Sequence, residues 1–149
     1  MRKTLLMCGL AMLMSIGAFS QIIEPVKWSY SSKRTSATTA TVYIKAIIDK
    51  GWHLYSQIPS DGGPTPTTFT FAPSKTFDRI GKTIEIKPIT KFEPVFFTEV
   101  SYFENTAIFQ QKVKLKSNGA VVKGKVEFMA CNDKMCLPTS EREFSIKIK

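Results

Sequence analysis

Apolar residues recur at every second position along much of this chain. Three clear stretches are Val42–Ile48, Val122–Ala130 and Phe144–Ile148. A period of two places such residues on one face of a β-strand, whereas an amphipathic helix needs a period of about 3.6. Turn sequences such as Asp49–Gly51 and Ser117–Gly119 separate the stretches, and no segment shows a convincing helical pattern. We therefore expect about eight or nine short strands in an antiparallel, immunoglobulin-like β-sandwich.

The N-terminal segment has the three parts of a secretory signal peptide. Arg2 and Lys3 provide a basic start, residues 5–16 form an apolar run, and small residues stand at Ala18 and Ser20, where a signal peptidase reads the chain. The run is too short to span a bilayer comfortably, and no longer one follows. We predict a leader that ends at Ser20 and is cleaved on export to the periplasm.

Cleavage there would leave residues 21–149, which suits one domain with a sizeable core. Cys8 would leave with the leader, because no small residue precedes it as at lipid-modified cysteines. The mature chain then has two cysteines, Cys131 and Cys136.

The chain is basic, with a formal net charge of +9 at pH 7. Its lysines alternate with other residues along the predicted strands, as in Lys112–Lys116, which is typical of solvated outer faces. No segment concentrates basic and aromatic residues together, so nucleic-acid binding is not expected. Attraction to an acidic protein partner remains open.

Cys131 and Cys136 bracket a four-residue segment that begins with the turn-forming pair Asn132–Asp133. Two cysteines this close can form a disulfide across a hairpin. If Phe128 and Ala130 point into the core, strand alternation directs Cys131 to the opposite face of the sheet.

The last apolar stretch, Phe144–Ile148, implies a direction for Cys136 that conflicts with the direction inferred for Cys131. Counting back by two from Phe144 directs Cys136 inward, so a regular hairpin cannot satisfy both strands. A bulge or break near Leu137–Pro138 would resolve the conflict. We expect the cysteine pair in an irregular excursion at an edge of the sheet.

The residues alone leave three interpretations of the pair. A structural disulfide in a binding module is common in exported proteins, but closing a loop of about six residues contributes only about 2 kcal/mol, against about 5 for a loop of about a hundred. Redox exchange fits the same spacing and compartment. Cu(I) binding is the third, because Met129, Met135 and the lone His53 add soft ligands to the cysteines. A hydrolytic nucleophile with its base cannot be assembled from this sequence.

Three segments resemble the N-terminal periplasmic domain of the thiol:disulfide interchange protein DsbD: residues 131–138, 51–56 and 61–67. The resemblance extends over nearly the whole mature chain. It implies an immunoglobulin-like domain that accepts electrons from a thioredoxin-like domain. Such a domain passes them to periplasmic thioredoxin-like proteins, including a disulfide isomerase and a cytochrome c maturation protein. A monomer without cofactor or metal is expected, since dithiol exchange needs neither.

The resemblance also implies roles for individual residues. Cys131 and Cys136 match the redox cysteines, and Cys136 takes the place of the one that attacks the partner. Tyr55 matches an aromatic that lines the site, and His53 stands where better-known members have a second tyrosine. Phe96 matches a cap-loop phenylalanine that shields the cysteines.

Some details depart from the family pattern or stay open. Phe97 could be the cap instead of Phe96 if the alignment slips by one residue. Asp133, between the cysteines, is expected to line the site. Pro138 is followed by Thr139, where the usual motif has a second proline. Because the sequence ends at Lys149, we expect the membrane electron donor to be a separate protein.

Overall fold

The structure, a computed structural model, describes residues 22–149. The predicted leader and Cys8 lie outside these residues. Every regular element between 22 and 149 is a β-strand, so this part of the chain offers no apolar helix of membrane-spanning length. The strands are β1 (Val26–Arg34), β2 (Thr39–Ile48), β3 (Trp52–Tyr55), β4 (Thr68–Phe71), β5 (Phe77–Glu85), β6 (Ile89–Glu93), β7 (Thr98–Phe103), β8 (Thr106–Leu115), β9 (Val121–Phe128), β10 (Ala130–Asn132) and β11 (Ser140–Lys147).

The strands form three antiparallel sheets with the orders β1-β2-β8-β5, β10-β3-β7-β6 and β11-β9-β4. The predicted immunoglobulin-like β-sandwich is confirmed. The described residues hold eleven strands rather than eight or nine. One reason is that the alternating stretch Val122–Ala130 is interrupted at Met129, where the chain leaves one sheet and joins another.

The main core lies between the sheets and is built from the alternating residues. Val42, Ile44 and Ala46 on β2 are at most 1 % exposed, whereas the neighbouring Lys45 and Ile47 are exposed. Phe109 on β8 is fully buried, and its ring contacts the rings of Trp28 and Phe69, with centroids 6.2 and 4.9 Å apart. Burying one such side chain contributes about 1.5–3 kcal/mol. The sandwich is therefore held by this core rather than by its edges.

The sheets exchange chain segments around the cysteines. Strand β9 ends at Phe128, the chain pairs with β3 as β10, and it returns to β9 only when β11 begins at Ser140. The segment that includes Leu137 and Pro138 is not in a strand. The predicted break is therefore present, and it carries the cysteines away from the sheet of β9 and β11.

Candidate functional site

Cys131 and Cys136 stand at the two ends of a tight turn on an edge strand. They form an antiparallel bridge, their Cα atoms are 4.0 Å apart, and their sulfur atoms form a disulfide. Next to them, the backbone N–H of Leu137 donates to the carbonyl of Ala130 at 2.9 Å. Strand β10 pairs with β3 on one side and ends the sheet on the other, so the pair lies at the predicted sheet edge.

Asn132 holds the turn in shape. Its side-chain Oδ1 accepts hydrogen bonds from the backbone N–H groups of Lys134 and Met135, both at 2.9 Å. Its own N–H donates to the carbonyl of Met135 at 2.9 Å. An asparagine side chain used in this way mimics a backbone turn, and it stabilises the turn between the two cysteines.

The two cysteine residues differ in their access to solvent. Cys131 is 3 % exposed, whereas Cys136 is an exposed residue. A reagent as large as a protein can therefore reach Cys136 first. The arrangement is that of one accessible cysteine with a second, sheltered cysteine behind it.

Cys131 is sheltered by a small second cluster, apart from the main core. Its buried members are Tyr55 on β3, Val100 and Tyr102 on β7, and Cys131 itself. Phe96 and Met129 pack against this cluster. The alternation of the strand directs Ala130 into the main core and Cys131 to the other face, as the sequence predicts.

The hairpin loop between β6 and β7 separates the roles of the two candidate cap residues. Phe96 is half-buried and meets the Tyr55 ring edge-on, with centroids 6.2 Å apart. Phe97 is 86 % exposed and has a φ of 54°, a left-handed conformation that turns its side chain away. Phe96 is thus the phenylalanine that covers the cluster, and its shielding of the cysteines remains a prediction.

His53 lies on β3 directly opposite Cys131 on β10. Its Nε2 atom is 3.0 Å from Oε1 of Glu104, which follows β7, and the pair forms a hydrogen-bonded ion pair when the ring is protonated. The imidazole ring also packs against the ring of Tyr102, with centroids 4.6 Å apart. His53, which stands where the resembled family has a second tyrosine, is therefore oriented by the Glu104 carboxylate.

The tyrosines of the site stay neutral well above neutral pH. Burial, then the Glu93 carboxylate and Tyr102, raise the pKa of Tyr55 to about 12. Burial and the Glu104 carboxylate likewise raise the pKa of Tyr102. Asp133 raises the pKa of Tyr102 by a smaller amount, whereas Lys91 lowers it. The rings beside the cysteines therefore act as neutral packing surfaces at physiological pH.

A groove of about 680 Å³ opens over the disulfide. Six of the seven site residues predicted from the sequence line it: His53, Tyr55, Phe96, Cys131, Asp133 and Cys136. Phe97, the seventh, does not. Within residues 22–149, no three His, Cys, Asp or Glu side chains are grouped so that they could hold a metal ion.

Among the residues that local sequence patterns did not assign to this site, Tyr102, Glu104 and Asn132 matter most. Tyr102 and Glu104 reach it because β7 pairs with β3, and no local pattern indicates that pairing. Asn132 was noted only as a turn former, although its side chain organises the turn. The Asx-turn preference of asparagine was the available signal.

The fold and the site together define an all-β domain of the thiol–disulfide interchange class. The chain matches the family described as "Thiol:disulfide interchange protein DsbD, N-terminal" over residues 21–148. It therefore belongs to this family, and the resemblance found in the sequence is confirmed. Among individually curated proteins, none matches the chain.

Solved structures agree on the fold. The N-terminal periplasmic domain of ScsB from Proteus mirabilis is 13 % identical with a TM-score of 0.61, and the match covers 83 % of this chain but only 46 % of that one. The reduced N-terminal domain of DsbD from Neisseria meningitidis is 17 % identical with a TM-score of 0.53, covering 79 % of this chain and 83 % of that domain. The same Neisseria domain in complex with the N-terminal domain of PilB gives 16 % identity and a TM-score of 0.51, covering 78 % and 80 %.

Proposed function

We propose that this protein is a periplasmic electron relay that passes reducing equivalents between thioredoxin-like proteins through Cys131 and Cys136. The observation that carries the proposal is the unequal burial of the two cysteine residues within one bonded pair. Exchange needs an accessible thiol to attack and a second thiol near enough to resolve. A turn held by Asn132 supports both requirements.

In the proposed cycle the reduced domain gives two electrons to an oxidised partner. The Cys136 thiolate attacks one sulfur of the partner's disulfide, forms a mixed disulfide, and releases the partner's other sulfur as a thiolate. The Cys131 thiolate then attacks Sγ of Cys136, which breaks the mixed disulfide and releases the second partner thiolate. The partner leaves as a dithiol, the domain leaves with the Cys131–Cys136 disulfide, and a reduced donor protein reverses these steps.

The surface around Cys136 suits a protein partner. The loop of residues 94–97 between β6 and β7 is called the cap loop here. Its Val95 and Phe97 are 80 % and 86 % exposed, and Met135 beside Cys136 is 46 % exposed. Exposed apolar groups beside a reactive sulfur are typical of docking sites. A related domain forms a complex with the N-terminal domain of PilB. By analogy, we expect partners with a thioredoxin-like fold here.

A trapping experiment tests the order of attack. With Cys131→Ser the resolving thiol is gone, so a covalent complex through Cys136 should accumulate when the reduced variant meets an oxidised thioredoxin-like protein. The matched variant Cys136→Ser should trap little, because its one remaining thiol is buried. Non-reducing electrophoresis with peptide mapping measures both. Equal trapping by the two variants, or by neither with several partners, would contradict the relay.

Periplasmic export rests on the predicted leader. We propose that cleavage after Ser20 releases a mature protein that begins at Gln21. The intact mass of the protein recovered from the periplasm measures the cleavage site. A recovered form that keeps Cys8, with or without a lipid, would contradict the assignment.

A further inference from the structure

Three side chains form a row across neighbouring strands on the outer face of the site. Cys131 on β10 lies opposite His53 on β3. His53 is hydrogen-bonded to Glu104 at the end of β7. Directly opposed residues on antiparallel strands have Cβ atoms about 4.5–5.5 Å apart and project to the same face. His53 and Cys131 therefore project from opposed positions to the same face, and Cys131, His53 and Glu104 all line the same groove.

The buried cysteine faces a proton problem that the exposed cysteine does not. To resolve a mixed disulfide, Cys131 must first lose its proton, yet it is 3 % exposed and surrounded by aromatic and aliphatic groups. Burial disfavours a thiolate. Water reaches Cys136 directly, but Cys131 needs a protein group that can take its proton.

His53 has the chemistry for this task. Because its Nε2 atom is 3.0 Å from the Glu104 carboxylate, the proton of the neutral imidazole belongs on Nε2. The lone pair is then on Nδ1, and the ring can accept a second proton there. Once it is protonated, the imidazolium is stabilised by the Glu104 carboxylate. A histidine held by a carboxylate in this way is a common proton acceptor in enzymes.

We propose that His53, oriented by Glu104, is the proton-transfer residue for Cys131. The proposal deepens the relay function and rests on it. During resolution the Cys131 thiol gives its proton to Nδ1, and the thiolate attacks Sγ of Cys136 as the partner thiolate departs. During reduction an incoming thiolate attacks Sγ of Cys136, and Cys131 leaves with the proton that the imidazolium returns. No further oxidant or reductant is involved.

Other charged and titratable groups line the groove and contribute to the electrostatic environment of His53. Besides Glu104 and Tyr102 from β7, these are Lys91 and Glu93 from β6, Tyr55 from β3, and Asp133 and Lys134 from the turn. The remaining lysines and carboxylates are balanced, two of each. His53 is the only histidine of the chain, so a pH-dependent step removed by its replacement can be assigned to it.

A two-phase reaction with one reagent tests the proposal. The reduced protein is mixed with the chromogenic disulfide dithiobis(nitrobenzoate). Attack by Cys136 releases a first coloured thiolate, and resolution by Cys131 releases a second. His53→Gln keeps a hydrogen-bonding partner for Glu104 but cannot transfer a proton. It should leave the first phase unchanged and slow the second about 100-fold, the lower end of what a positioned acid–base group contributes.

The pH profile separates proton transfer from simple structural damage. The second phase of the unaltered protein should depend on pH in a way that the same phase of His53→Gln does not, because only the unaltered protein passes the Cys131 proton to the imidazole. Glu104→Gln should give an intermediate slowing of the same phase. The control Glu99→Gln, an exposed carboxylate on β7, should change neither phase.

Each outcome has a definite meaning. An unchanged second phase in His53→Gln, or equal slowing of both phases, overturns the role of His53. A second phase that is absent from the unaltered protein overturns it as well, because Cys131 would then not resolve. If the two phases behave as expected but no thioredoxin-like protein is trapped by Cys131→Ser, the relay function fails while the role of His53 stands.

Discussion

Strands β3, β7 and β10 have two faces that differ in almost every physical property. One face contributes Leu54, Phe103 and Ala130 to the main core, where they are at most 3 % exposed. The other face carries the second cluster, with Tyr55, Tyr102 and Cys131. The three core residues Leu54, Phe103 and Ala130 are all apolar. The second face combines hydroxyl, imidazole and sulfur groups beside an open groove.

This difference shows how a small β-domain can hold a reactive group without losing stability. Burial of the core face anchors the strands. This anchoring does not depend on which side chains the other face carries. The site face can therefore hold neutral tyrosines, an ion pair and a cysteine close to solvent. We expect replacements on the core face to change the free energy of unfolding, and replacements on the site face to change reaction rates.

The largest expected effect tests the main core, to which the core face of these strands contributes. Phe109→Ala should lower the free energy of unfolding by about 3–5 kcal/mol, because it removes a fully buried ring that contacts Trp28, Phe69 and Phe103. Denaturant unfolding of the oxidised protein measures this loss. The control Phe97→Ala, at an 86 % exposed position, should stay within about 0.5 kcal/mol of the unaltered protein. A comparable loss at both positions would break the comparison.

Reduction of the disulfide should have a smaller effect on stability. Opening a loop of about six residues should lower the free energy of unfolding by about 2 kcal/mol. Unfolding curves of the oxidised and reduced proteins measure it, with the Cys131→Ser, Cys136→Ser double variant as control. A relay pair should also equilibrate with thioredoxin-like reductants. A pair that resists them, or whose loss unfolds the domain, would be a structural disulfide instead.

The cap loop sharpens the comparison, because Phe96 should affect the rate at which the cysteines react and not the free energy of unfolding. Phe96→Ala should speed alkylation of the reduced cysteines by about tenfold, a barrier change of about 1.4 kcal/mol, since the ring covers Tyr55 and the second cluster. Phe97→Ala is the matched control and should leave the rate unchanged. Mass spectrometry of timed alkylation measures both. A stability loss of about 3–5 kcal/mol in Phe96→Ala would instead show that this ring is ordinary core.

A further effect on stability should appear only in alkali. The pKa of Tyr55 is raised from 10.0 to about 12 in the folded protein, so the folded state keeps a proton that the unfolded state loses. The stability linked to this group is present below pH 10.0 and is lost as pH rises through about 12. The free energy of unfolding of Tyr55→Phe should therefore decline less steeply with pH between these two values. Denaturant midpoints at several alkaline pH values test this, and an unchanged slope would contradict the linkage.

Much of the fold and part of the site could be predicted from local patterns. A period of two predicted the all-β sandwich and directed Cys131 away from Ala130, because side-chain direction alternates along any strand. The conflict between the parities of Phe128 and Phe144 predicted the break that lifts the cysteines out of their sheet. The short spacing of Cys131 and Cys136 indicated that a disulfide across a turn was possible, since a tight turn is a local structure. These features depend on neighbours in sequence, so the amino-acid sequence by itself determined them.

Only the tertiary structure decided what surrounds the cysteines. His53 meets Cys131 and Glu104 because β3 lies between β10 and β7, and the register of distant strands cannot be read from alternation alone. Phe96 covers the cluster and Phe97 faces solvent because of one left-handed residue in the loop, although both rings are equally apolar. The burial of Cys131 likewise follows from long-range packing against Tyr55 and Tyr102. Local periodicity set the strands and their faces, and non-local pairing set which side chains share a site.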